Sequence, residues 1–262
     1  MKKLALLFSL AALTLGIQAA HAADIKVLTA GAYKSVLVAL QPEFERRTGH
    51  KLMIENDTAG ALQKRINGGE AFDLVVLTPG ALEQLAKAGK VQAGATTLAR
   101  VAIGVAVKAG APLPDISCVA AFQNTLLAAR AVATIDPAAG GSSGIYLWQW
   151  FEKAGIAQQL KPKAVLVPGG LVAERVVNGQ ADIAIHQISE ILAVPGATLV
   201  GPLPEAIQNY TVYAGALSAV ASGAAPSAPQ DASKAQAARE LLQSLAAPQA
   251  NAVLLSKGML AP

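Results

Sequence analysis

The chain has 262 residues, of which 53% are hydrophobic, 15% charged and 4% aromatic, with 21 Lys and Arg against 17 Asp and Glu for a formal charge of +4. That length supports one large domain or two lobes with separate cores, and so mild a positive balance, without a basic run, argues against a nucleic-acid partner. Cys118 is the only cysteine, which excludes an internal disulfide, and three histidines without a second His or Cys at ligand spacing argue against a zinc site, so no metal is expected.

The chain opens as a secretory signal. Lys2 and Lys3 precede an apolar run from Leu4 to Leu15, and Ala20 and Ala22 flank a cut after Ala22. The run is too short for a membrane span of about 20 apolar residues, so residues 1–22 are expected to leave and no membrane insertion to remain. No cysteine stands at the cut, so no lipid attachment is expected. Removing Lys2 and Lys3 leaves 19 basic against 17 acidic residues in the mature chain, which is expected in the periplasm.

Short runs rich in branched apolar residues then alternate with helical patterns. Strands are expected at Ile25 to Leu28, Leu52 to Glu55, Leu74 to Leu77, Val101 to Val107, Ala131 to Ile135, Ala164 to Val167 and Ile183 to Ile185. The first helix is expected from Lys34 to Arg47, with Gly49 as its stop and Pro42 as a kink or restart. Further helices start near Gly60, Pro79, Ser142, Gly170, Ser189 and Asp231. The alternation predicts parallel sheets in an α/β fold. Val101 to Val107 and Tyr210 to Ser218 are candidates to cross between lobes, which would comprise 23–104 with 216–262, and 105–215. Cys118, in the apolar setting of Ile116 to Phe122, is expected to be a small buried residue, and Ala219 to Gln230 a surface connection.

Open parallel sheets bind ligands beyond the carboxyl ends of their strands, so the loops there are the candidate site. They read Thr29 to Lys34, Asp57 to Gly60, Thr78 to Gly80, Asp136 to Gly144, Pro168 to Gly170 and His186-Gln187. Nearly all are small, carry glycine and open a helix, whose free N–H groups favour an anion without many cations. Glycine-rich loops also serve turn geometry alone, so each one singly has a purely structural reading.

Val27-Leu28-Thr29-Ala30, Phe44 to Gly49, Ala59 to Leu62, Phe72 to Val76 and Asn178 to Asp182, in this order and spacing, resemble the periplasmic molybdate-binding protein family from about Ile25 onward. The resemblance implies the two-lobed type II periplasmic binding protein fold, α/β in class, with a hinge and an interlobe cleft. Family members hold a small tetrahedral dianion with backbone N–H groups, loop serines and a tyrosine. Here the first serine falls on Ala32, the second hydroxyl on Ala59 or Gly60, and the tyrosine on His186. Each lost hydrogen bond to a charged ligand costs roughly 1.5 to 3 kcal/mol, so tetrahedral oxyanion binding should be severely weakened.

The altered pocket and overall length further resemble the aconitate-isomerising branch of that family, which implies a small carboxylate anion as partner and no cofactor. Moving a double bond by an allylic 1,3-proton shift needs a base, an acid and donors for carboxylates. His186 is the expected base, with an ordinary pKa of about 6.5 near working pH. One residue can both remove and return the proton if the two carbons lie on one face; Tyr33 is the alternative candidate acid, and Lys34 the candidate carboxylate partner. Gly31, Ala32, Thr58, Ala59, Gly60, Ser142, Ser143, Gly169 and Gly170 are the candidate substrate-binding residues, helix N-termini among them. Each has a plainer reading: a structural histidine, an aromatic wall, a solvated lysine, and Ser142 as the cap of the helix carrying Trp148 and Trp150. Gly141-Ser142-Ser143-Gly144 is one residue too short for a nucleophile elbow. Asp136, Asp182 and Glu190 are candidate partners for His186. The competing expectation is a non-catalytic receptor delivering molybdate, tungstate or an organic anion to an ABC importer.

Overall fold

A computed structural model describes residues 22–219 and 229–262. The signal segment before Ala22, and the greater part of the Ala219 to Gln230 connection, lie outside these residues. Among the described helices none is long and apolar enough to cross a membrane.

The chain forms a two-lobed α/β structure built on two groups of strands. In the first, β1 (Asp24–Ala30) is flanked in parallel by β2 (Lys51–Asp57) and β3 (Leu74–Leu77), and β9 (Tyr210–Leu217) pairs antiparallel with β3. In the second, β5 (Val132–Ile135) lies parallel between β6 (Ala164–Val167) and β7 (Ile183–Gln187). The thirteen-residue β4 (Thr96–Lys108) joins them. Its first part pairs with β9 and β10 (Met259–Leu260), and from Ile103 onward it pairs with β7, while β8 (Ala197–Pro202) takes Gly104 to Lys108, all antiparallel. The expected parallel pairs are present, but β4 and β9 add an antiparallel seam. β9 bonds only to β3 and β4, so β4 alone of the two candidate crossing strands reaches the second group.

Apolar burial follows the same division. One cluster draws on Ile25 to Val101 and Tyr213 to Met259, and two adjoining clusters draw on Ile103 to Leu203. Strand β4 is buried at nearly every position from Val101 to Val107, because both its faces are covered.

Helices α1 (Gly31–Thr48), α2 (Ala59–Asn67), α3 (Pro79–Lys87), α4 (Val119–Ala128) and α5 (Ser142–Lys153) follow β1 to β5 in turn. Short helical turns α6 (Ala157–Leu160), α7 (Glu174–Val177) and α8 (Ile188–Ile191) come next, and α9 (Pro229–Ala246) and α10 (Asn251–Ser256) complete the chain. Helix α1 starts three residues before Lys34 and runs through Pro42 without a restart. It buries Tyr33, Val36, Leu37 and Phe44 and ends at Gly49, whose φ of 74° is the left-handed cap expected of glycine.

Three expectations are corrected. Cys118 is exposed, and its sulfur accepts from Ala121 N at 3.5 Å as the N-cap of α4, a helix the sequence reading passed over. Ser142 is the first residue of α5, not its cap; that position belongs to Gly141, which offers no side chain. The helix near Gly170 begins only at Glu174 and spans four residues.

Candidate functional site

The loops that leave β1, β2, β5, β6 and β7 converge on one cleft of about 420 Å³, part of it open to solvent. Gly31 and Ala32 come from the start of α1, Asn56 to Ala59 from the entry to α2, and Gly141 to Ser143 from the entry to α5. Gly170, His186, Gln187, Glu190 and Tyr213 complete most of the wall. Among the described residues no Lys or Arg lines it. Positive potential comes instead from helix ends: α1 and α5 begin without a capping side chain and without an acid in the first turn, so their N–H groups stay free for a ligand. Helix α2 differs, because the Thr58 hydroxyl accepts from Ala61 N at 3.1 Å.

The two loop groups touch across the cleft edge. The Thr58 hydroxyl donates to the Ala139 carbonyl, and Gly60 N donates to Gly140 O at 3.2 Å. A methyl added at Gly60 would stand 2.9 Å from the Gly140 Cα, and Gly140 itself has φ of 77°, so both must be glycine for this approach.

His186 and Glu190 form the chemical centre. Antiparallel pairing of His186 with Gly104 fixes the end of β7, and one turn later α8 brings Glu190 back to it. His186 Nε2 lies 3.2 Å from Glu190 Oε2, and the two side chains are 3% and 10% exposed. Burial pushes the imidazole down to about 3 and the carboxyl up to about 8. Both shifts favour the uncharged form, so at neutral pH the pair is a neutral imidazole beside a protonated carboxyl. The expectation that His186 titrates near working pH is thereby corrected; desolvation outweighs its partner. Glu190 Oε1 sits over Gly31, where an added Cβ would come within 2.5 Å of it.

Around this pair, Gln187 Nε2 donates to Ser142 Oγ at 2.9 Å, and Ser142 Oγ lies 3.3 Å from Thr211 Oγ1. Tyr213 is buried, and burial, with the Glu190 charge added to it, raises its phenol above the ordinary value, while the Ser142 hydroxyl acts in the opposite direction. Two buried polar atoms of cleft residues, Ser143 Oγ and His186 Nδ1, have no hydrogen-bond partner among the described residues. Buried polar groups are almost always satisfied, so these two atoms keep unused hydrogen-bonding capacity beside the cleft.

Of the residues singled out in sequence, Gly31, Ala32, Thr58, Ala59, Ser142, Ser143, Gly170 and His186 line the cleft together. Gly60 contacts Gly140 at its edge, and Gly169 stands by Asp57 without lining it. Tyr33 is fully buried behind the wall, 6.5 Å ring to ring from Tyr213, with its hydroxyl unpartnered. Lys34 is exposed and outside the lining. Among the three acids named for His186, Glu190 is the partner; Asp136 receives Ala138 N and Asp182 receives Arg130. Tyr213, Asn56 and Ile135 were missed. A search confined to the ends of parallel strands could not find Tyr213, which projects from the antiparallel β9.

The comparisons with known proteins agree with this architecture. Aconitate isomerase from Pseudomonas sp is 34% identical over 242 residues, covering 90% of this chain and 87% of that protein. The periplasmic molybdate-binding protein of Azotobacter vinelandii superposes with a TM-score of 0.73 at 20% identity, covering 91% of this chain and 99% of its own. The sulfate-binding protein SubI of Mycobacterium tuberculosis H37Rv gives 0.69 at 18% identity, covering 91% and 86%. Residues 25–260 match the family described as bacterial extracellular solute-binding protein, and the chain belongs to that family.

Proposed function

We propose that this chain is an aconitate isomerase of the periplasm, interconverting trans-aconitate and cis-aconitate without a cofactor by an allylic 1,3-proton shift in the cleft. What carries the reading is a buried, neutral imidazole with an unpartnered nitrogen in a cation-free cleft, in a chain 34% identical to an aconitate isomerase. His186 Nδ1 removes a proton from the substrate methylene, and its neutral state is the one a base requires. The free N–H groups at the starts of α1 and α5 and the Ser143 hydroxyl receive carboxylates and the charge of the dienolate. A single oriented donor of this kind is typically worth about 10²- to 10³-fold in rate. Tyr33 and Lys34, standing outside the lining, take no part in this scheme. We further propose a hinge where β4 passes between lobes 23–104 with 216–262, and 105–215.

A second reading, a receptor that hands an anion to an ABC importer, is favoured by the family description and by the orphaned Ser143 hydroxyl, which can hold an anion without moving a proton. Proton NMR of trans-aconitate with catalytic amounts of purified protein separates the two. Formation of cis-aconitate, abolished in His186→Ala with ligand binding retained, supports the isomerase. No conversion by the wild type, with trans-aconitate or another anion bound tightly, establishes the receptor.

A further inference from the structure

Resting on the isomerase reading, we infer that Glu190 is a second proton-handling residue of the cleft, delivering a proton to the far carbon of the allylic system while His186 takes one from the near carbon. Three observations place it there. Its carboxyl lines the cleft, its Oε2 touches His186 Nε2 at 3.2 Å, and the missing side chain of Gly31 leaves room for Oε1 at the start of α1. The other titratable groups of the wall are Asp57, from the β2–α2 loop, and Tyr213, from β9. Asp57 Oδ1 accepts from Thr58 N at 2.8 Å and its Oδ2 lies 3.9 Å from Arg65, so its carboxyl is engaged by its own loop and by α2. Burial raises both the Tyr213 phenol and the Glu190 carboxyl, which keeps the latter protonated and available at neutral pH.

The proton count closes. In this scheme the imidazole proton sits on Nε2, 3.2 Å from Oε2, and the Nδ1 lone pair accepts the methylene proton; that C–H bond breaks and its electron pair spreads through the allylic system into a carboxylate. The O–H bond of Glu190 breaks as a new C–H bond forms at the far carbon. The pair is then imidazolium and carboxylate, and the Nε2 proton crosses the 3.2 Å contact to Oε2, making both neutral again. Exchange with solvent when the cleft opens restores the starting tautomer. The hydrogen placed in the product thus originates on Glu190, not on the substrate.

The test compares wild type, Glu190→Gln and Glu190→Asp with trans-aconitate in D₂O, following both isomerisation and deuterium entry into the substrate methylene. The wild type should yield cis-aconitate carrying solvent deuterium at its new methylene. Glu190→Gln should isomerise about 10²-fold or more slowly while methylene exchange persists, because the base is intact, and Glu190→Asp should recover part of the rate. Circular dichroism and thermal melting verify that the variants fold. Isomerisation by Glu190→Gln within about threefold of wild type overturns the inference. So does parallel loss of exchange and isomerisation in a folded variant that still binds, since Glu190 would then act only through His186. Absence of conversion by the wild type is a different result, and removes the isomerase reading together with the inference.

Discussion

A carboxyl that burial keeps protonated makes stability depend on pH in a direction opposite to the usual acid. In the unfolded chain Glu190 ionises above its ordinary value of 4.5, while the folded chain holds it neutral up to about 8. The Glu190 contribution to stability is therefore full below 4.5 and declines as pH rises through that window, by about 1.4 kcal/mol per unit for an isolated group. His186 adds the mirror effect: its folded value of about 3 lies below the ordinary 6.5, so stability also declines as pH falls from 6.5 towards 3. Glu190→Gln removes only the first slope. Its melting temperature relative to wild type should rise steadily between pH 5 and pH 8, and a difference that stays constant over that range would show that the carboxyl ionises freely in the folded state. Gly31 gives a second handle on the same group. Because a methyl there meets the flexible end of Glu190 and not backbone, Gly31→Ala should displace the carboxyl at little cost in stability. Steady-state assays should show at least a tenfold fall in kcat, with the melting temperature within about 3 °C of wild type, a shift of roughly 1 kcal/mol.

Among the elements, those whose local sequence agreed with their setting were legible. The strands from β1 to β7, apart from the thirteen-residue β4, are short runs rich in branched residues, and α1 ends where Gly49 can adopt a positive φ. The elements that escaped depend on partners distant in sequence. β8 is only half buried and gains its place by pairing with β4, and α4 begins at a cysteine doing the work usually given to serine or aspartate. The site divides in the same way. Its loops were found because each carries glycine at a helix start, whereas Tyr213 entered from a strand that runs against its neighbours. Glu190 was one of three acids open as a partner for His186, since spacing along the sequence orients none of them, and only the fold could choose it over Asp136 and Asp182. The loops entering α2 and α5 yield a prediction at this scale. Gly60→Ala forces backbone apart where Gly60 N meets Gly140 O, an overpacking cost of about 1–3 kcal/mol at this loop contact. Calorimetric titration should show trans-aconitate bound at least tenfold more weakly, and an unchanged affinity would mean that ligand is held without this contact.

In the whole molecule, two apolar cores share one continuous strand, and β4 changes partners near Gly104, where it is paired with His186. The base of the proposed reaction is thus anchored on the strand common to both cores, while its ligand-facing partners come from α1 on one side and α5 on the other. Such a site is assembled by tertiary contacts that span most of the chain. The wall that results contains no Lys or Arg, and its attraction for an anion is exerted by peptide dipoles at contact range. Mobile ions screen exposed charges over a Debye length of about 10 Å at 0.1 M, whereas interactions at contact range in a partly buried wall are screened much less. Trans-aconitate affinity should consequently change by less than about threefold as sodium chloride is raised from about 20 mM to about 500 mM. A tenfold loss would assign part of the attraction to solvent-exposed cations such as Lys34. The same absence removes long-range steering, so the rate of ligand capture should be indifferent to the salinity of the medium in which the protein works.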